Sequence, residues 1–272
     1  MSEATFDVTQ CELLSSRDNP RVRLLHQLAH LARERRKQGL TVLDGPHLLR
    51  EALQRGFLPS EVFVSQQASQ QDEIAALLAD AAAAEIPVTL LHDRLAPHVS
   101  PVDAPTGLVA VLPLPPAPPV VIPRASCVIL NGVQEPGNLG AILRTTAAAG
   151  IEDVLLTPGC TQAWSPRALR AGMGGHFALR IAENVDVFPL LDAFRGEIVA
   201  TWCGEGAVSL YDCDLRGPVA WLIGGEGPGL SAQLVARASR RVQIPLMAGI
   251  ESLNVGAAVA VCLFEQVRQQ RA

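Results

Sequence analysis

A chain of 272 residues is long enough for two domains, and a hydrophobic content of 49% suffices for packed cores. With 18% charged residues and a formal charge of −5, the chain is not a histone-like protein held to nucleic acid by net charge alone. No run approaches the roughly 18 apolar residues that a membrane-spanning helix needs. The first residues, MSEATFDVTQ, show neither a basic n-region nor an apolar h-region, so no secretory signal is visible. Six scattered cysteines, without a C-x-x-C pair, read as reduced small hydrophobes. The expectation is a cytoplasmic protein with no membrane partner.

In chain order, RVRLLHQLAHLARERRKQG places Val22, Leu24, Leu25, Leu28 and Leu31 at helical spacing, and Gly39 is the expected stop. LTVLDGPHLLREALQRG reads as a short strand, a turn at Asp44-Gly45, and a helix opened by Pro46 and ended at Gly56. EVFVS is a strand, DEIAALLADAAAAEI a helix, and PVTLLH and GLVAVLP are strands, an alternating α/β layout. Charge is concentrated here. Arg17, Arg21, Arg23, Arg33, Arg35, Arg36 and Lys37 face only Asp18 and Glu34 within Arg17–Lys37, a local sum of +5. Such a stretch is either a solvated helix face or a phosphate-contacting patch. His26 and His30 lie one turn apart with no third ligand nearby, so no metal is expected.

PLPPAPPVVIP, residues 113–123, holds six prolines and favours an extended spacer. The boundary falls there, giving a first domain over 1–112, a linker over 113–124 and a second domain over 125–272. Beyond it come the strand CVILN, a helix over 138–149, the strand DVLLT, a helix near 165–171 and the strands EIVATW and VAWLIGG. A helix after Ser231, the strand RVQIP and a last helix from about Leu253 to Gln270 complete the order. That order predicts a mostly parallel sheet covered on both faces, with ligands bound where strands end.

Three loops at such strand ends carry unusual polar residues. In LNGVQEPGNLGAILRTTAAAG, Asn138 is placed to cap a helix and Gly150 to close it. Arg144 has Gly140, Ala141, Ala147 and Ala148 as helical neighbours, so an arginine set among alanines and leucines lacks a carboxylate in its own helix. WLIGGEGPGLS has four glycines but neither a Walker lysine nor G-x-G-x-x-G, and Glu226 is its one ionic side chain. In VQIPLMAGIESLNVG, Ser252 reads as an N-cap, while Asn254 falls in the first turn of the last helix, where Asn is disfavoured.

NGVQEPGNLGAILRT, GGEGPGLS and IPLMAGIESLNVG together resemble, in order, the three motifs of the SpoU, or TrmH-type, RNA 2′-O-ribose methyltransferases. The resemblance covers about residues 126–270. The segment ahead of it is similar to the small α/β substrate-binding domain of that family. The resemblance implies a catalytic domain of the SPOUT class, with a deep trefoil knot near the C-terminus, which general folding rules make very rare. It also implies S-adenosylmethionine as cofactor, against Gly224, Gly225, Ile244 and Leu253, with Thr201 as a further candidate. By the same resemblance the family's polar set falls on Asn138, Arg144, Glu226, Ser252 and Asn254, and the enzyme works as a homodimer on RNA. Glu135 stands where the family often has Asp, and Gly256 where it has Ser or Ala, which loosens the last helix by roughly 1 kcal/mol relative to Ala.

On this reading Arg144 stabilises charge growing on the ribose oxygen and grips a phosphate, because guanidinium does not give up its proton. The basic stretch then contacts RNA, with 23S ribosomal RNA as the expected substrate. The alternatives are a tRNA 2′-O-methyltransferase and a non-catalytic RNA-binding knotted protein.

Overall fold

Residues 127–130 and 219–223 are continuous buried apolar runs, and the computed structural model sets them side by side at the centre of a sheet whose strand pairings are all parallel. The structure describes residues 6–102, 104–119, 121–227 and 229–271. The chain forms two compact units, one of Met1–Pro115 with Trp164–Phe177, the other of Pro116–Ala163 with Ala178–Ala272.

The first unit contains β1 (Leu13–Leu14), α1 (Pro20–His30), α2 (Ala32–Gln38), β2 (Leu40–Asp44), α3 (Pro46–Gln54) and β3 (Glu61–Ser65). It continues with α4 (Asp72–Ala83), β4 (Val88–Leu91), α5 (Ala96–Val99) and β5 (Leu108–Pro113). Its sheet runs β1-β4-β3-β5-β2, parallel except where β5 pairs antiparallel with β3 and β2. The helix expected up to Gly39 is two helices. Leu31 adopts an extended conformation, φ −113° and ψ 108°, and breaks it, while Gly39 ends α2 in the left-handed region. Asn19 starts α1 by accepting from the Arg21 amide at 2.9 Å, ahead of Pro20. Leu25, Leu28, Val42, Phe63 and Val109 belong to the core beneath.

The second unit contains β6 (Cys127–Asn131), α6 (Pro136–Ala148) and β7 (Asp153–Leu156). Next in the chain comes α7 (Pro166–Gly172), which belongs to the first unit although a boundary at the proline run assigns it to the second domain. Thr41 donates to the Trp164 carbonyl at 2.6 Å, Arg170 pairs with the buried Asp44, and the Trp164 and Phe177 rings lie beside Phe57. The second unit resumes with β8 (Arg180–Ala182), α8 (Phe188–Ala193), β9 (Glu197–Thr201) and β10 (Val208–Ser209). It ends with β11 (Val219–Gly224), α9 (Ala232–Arg237), β12 (Arg240–Gln243) and α10 (Val255–Arg271). The sheet order is β10-β12-β9-β11-β6-β7-β8. Trp221, fully buried on β11, donates its indole N–H to Gln266 of α10 at 2.8 Å, so the polar edge of a core residue also fixes the last helix. The short elements β1, α5, β8, α8 and β10 are additions to those expected from sequence pattern.

Candidate functional site

The ends of β9, β11 and β12 meet the loops that follow them around one pocket of about 690 Å³, within the usual range for small-molecule sites. Its glycine wall is dictated by sterics. A Cβ at Gly224 would lie 2.4 Å from the backbone of Gly229 and Leu230, and one at Gly225 would lie 2.0 Å from the Gly132 carbonyl oxygen. No side chain fits at either position, so two stretches of backbone approach each other and leave the pocket face open. Asn131, ending β6, holds this arrangement. Its carbonyl accepts from the Gly225 amide at 2.8 Å, its side-chain oxygen accepts from the Ser231 amide at 3.1 Å, and its amide donates to Thr157 at 2.9 Å. Asn131 opens the first motif, but its role is hidden in the sequence because those partners lie 94, 100 and 26 residues away.

Thr201, Gly224, Gly225, Ile244 and Leu253 all line the pocket. The Thr201 hydroxyl donates to the Leu222 carbonyl at 3.2 Å, which ties the end of β9 to β11. Leu246 of the third motif lines it too, as do Trp202, Cys203 and Cys262, which escape sequence reasoning because neither aromatic nor thiol fits a motif there. Burial pushes the Cys262 thiol up to about 12, so it stays protonated and serves as a small apolar lining group.

Of the polar set, Glu226, Ser252 and Asn254 line the pocket. Asn138 is not the helix cap. Glu135 is, its carboxylate accepting from the Gly137 amide at 3.2 Å, so α6 begins at Pro136 and Asn138 sits within its first turn. That frees the Asn138 side chain, which donates to Glu226 and accepts from Asn254 at 2.9 Å. Ser252 is likewise not the cap of the last helix. Asn254 takes that role through its side-chain oxygen, which accepts from the Gly256 and Ala257 amides at 2.9 and 3.3 Å. One asparagine therefore caps α10 and binds α6, and a second joins α6 to the glycine turn. The glycine turn and the starts of two helices form one hydrogen-bonded cluster.

Arg144 lies on α6 one turn beyond Ala141, and α10 packs on that helix with Gly256 set against Ala141. Its helical neighbours suggest an arginine set among alanines and leucines, but the structure shows the guanidinium exposed. It makes no hydrogen bond or ion pair among the described residues. Solvation, not burial, is what permits an arginine on this helix without a carboxylate.

The basic stretch divides. Arg17, Arg23, Arg33, Arg36 and Lys37 are exposed. Arg35 is buried and donates to the Leu28 carbonyl at 2.8 Å, across the break between α1 and α2. Arg21 is held by Glu12, Glu61 and Thr89 and lies over the Phe63 ring. These two cations serve the fold and are not free to contact RNA. No group of three or more His, Cys, Asp or Glu suited to a metal occurs among the described residues, and none of their helices is long and apolar enough to cross a membrane.

Comparison with known proteins gives this geometry its class. Residues 125–264 match the SpoU rRNA Methylase family, and residues 19–110 match the MRM3-like substrate binding domain. An uncharacterized tRNA/rRNA methyltransferase of Synechocystis sp. is 35% identical over 266 residues, covering 94% of each chain. A 23S rRNA (guanosine-2′-O)-methyltransferase of Bacillus subtilis is 25% identical, over 86% of this chain and 91% of its own. The AdoMet-bound rRNA methyltransferase structure from Sinorhizobium meliloti superposes with a TM-score of 0.82 at 27% identity, over 95% of this chain and 98% of that one. The chain belongs to the SpoU rRNA methylase family, and the enzyme it forms is an RNA methyltransferase.

Proposed function

We propose that this enzyme methylates a ribose 2′-hydroxyl of 23S ribosomal RNA. The observation that carries the reading is the shared site: the five candidate cofactor residues line one pocket, and Glu226 and Asn254 line it too while holding Asn138 of the Arg144 helix. The pocket suits S-adenosylmethionine in size, and its side-chain-free glycine wall suits a flat purine at backbone distance. Gly224, Gly225, Ile244 and Leu253 hold the cofactor, with Thr201 closing the strand end beside them. That cofactor supplies a methyl group already activated by a positive sulfur.

The protein must align the ribose oxygen and offset the negative charge that grows on it. Arg144 meets the second need. Exposed and unpartnered among the described residues, it is available to a ribose oxygen and its neighbouring phosphate. Asn138 and Asn254 fix the helix that carries Arg144 relative to the glycine turn, and Ser252, exposed at the pocket, faces the sugar.

In the first unit Arg17, Arg23, Arg33, Arg36 and Lys37 contact RNA phosphates. The loops after β11 and β12, both reaching one pocket, support a trefoil knot through that region. Leu246, Met247, Ile250 and Phe264 are exposed apolar residues of the pocket loop and α10, Met247 by 84%, and a second copy of the chain covers them.

The test is methyl transfer in vitro from radiolabelled S-adenosylmethionine to 23S, 16S and transfer RNA transcripts. Label is expected in 23S RNA, in a dinucleotide that resists alkali because the 2′-oxygen is blocked. Label confined to transfer RNA, or released as alkali-sensitive mononucleotide, overturns the reading.

A further inference from the structure

Three imidazoles, none of them lining the pocket, stand together in the first unit. His26 and His30 lie on α1 and His98 on α5. The His26 and His98 rings stack, centroids 4.2 Å apart and planes within 6°, and the His26 and His30 centroids are 4.6 Å apart. His26 Nδ1 lies 2.7 Å from the His98 carbonyl oxygen. A carbonyl only accepts, so His26 Nδ1 is the donor in this contact.

The charged groups acting on His30 and His98 are Arg17 ahead of α1, Arg35 on α2, Arg167 on α7 and the imidazoles themselves. None is acidic. Burial pushes His30 and His98 below the ordinary histidine value, and the basic neighbours push the same way. The rings are half-buried or exposed, and Arg17 and Arg167 are exposed. Three imidazoles and two exposed guanidiniums, all of them basic, therefore act on one another, an arrangement that an anion completes.

We propose that His26, His30 and His98, with Arg17 and Arg167, form a phosphate-binding subsite for the substrate RNA whose grip tightens as His30 and His98 take up protons. The proposal rests on the RNA methyltransferase reading and locates one contact of the substrate with the first unit. A polyanion suits the surface better than a free phosphate, because exposed Arg23 on α1 and Arg33, Arg36 and Lys37 on α2 extend the positive charge. Linkage sets the sign. His30 and His98 bind protons less readily folded than unfolded, so the free protein loses stability as pH falls below the ordinary histidine value. A phosphate beside the rings reverses that preference, protons enter with RNA, and affinity rises as pH falls.

Fluorescence anisotropy of the full chain with a 23S RNA transcript, at constant ionic strength, tests this at about pH 7.5 and about pH 6. Wild-type affinity is expected to rise roughly tenfold on acidification, the scale of one proton taken up per site, with the gain in KM for RNA and not in kcat. A doubly substituted His30→Gln, His98→Gln protein that still binds S-adenosylmethionine loses the gain. Arg167→Gln, which leaves the rings in place, weakens binding at both pH values. Equal tightening in the histidine variant, or flat affinity in the wild type, overturns the subsite. Flat affinity with intact methyl transfer removes the subsite alone, whereas pH-dependent binding without methyl transfer keeps it and removes the methyltransferase reading.

Discussion

The basic stretch of the first unit and the polar cluster of the second differ in how much of their charge the fold consumes. In the stretch, neighbours in sequence part company: Arg36 and Lys37 are exposed, while Arg35 between Glu34 and Arg36 is buried on the Leu28 carbonyl, and Arg21 is held by two glutamates. In the cluster, Asn138, Glu226 and Asn254 bind one another across 88 and 116 residues and leave Arg144 without a partner among the described residues. A run of cations therefore does not tell which are free, because burial is decided by helix phase and by the break at Leu31. A cluster drawn from distant loops satisfies its own polar groups and leaves Arg144, unpartnered among the described residues, exposed.

Substitutions on the two sides sharpen that contrast. Arg144→Ala has the largest expected effect, a fall in kcat of about 10²- to 10³-fold for loss of a group that meets developing charge. Calorimetry on the same protein should show cofactor affinity unchanged, and lost affinity would move Arg144 from the reaction to the pocket. Gly225→Ala forces a methyl into the Gly132 carbonyl, and cofactor binding is expected to vanish with about 1–3 kcal/mol of stability. Retained binding would mean the glycine wall yields. Arg35→Met removes the side-chain donor that meets the Leu28 carbonyl, and thermal unfolding should register a loss of about 1–3 kcal/mol. Arg36→Ala should leave unfolding unchanged and lower the salt dependence of RNA binding by roughly one ion. If the two arginine variants behave alike, the division of the stretch is wrong. Asn254→Ala removes the α10 cap, a loss of about 1 kcal/mol, whereas Ser252→Ala should leave stability unchanged.

Much of this was legible in the sequence because it is local. Gly39 ends α2 in the left-handed region and Pro46 opens α3 at the positions read from the sequence, since both depend on one residue's backbone. The parallel second sheet follows from apolar strands alternating with helices. What the sequence hid is what distance decides. Asn138 and Ser252 read as caps because Asn and Ser cap helices in general, yet Glu135 and Asn254 do so here, and the partner of Asn138 lies 88 residues on. The bonding role of Asn131 was hidden for the same reason. Nor could local pattern show that Trp164–Phe177 packs with the first unit, since Thr41 and Asp44 meet it only in the fold.

Ribose methylation mapped along 23S RNA from the native host, with and without this chain, tests the account most directly. One 2′-O-methyl group should disappear on deletion, return with the wild-type chain and stay absent with Arg144→Ala. A map unchanged by deletion, or fully restored by Arg144→Ala, would contradict it.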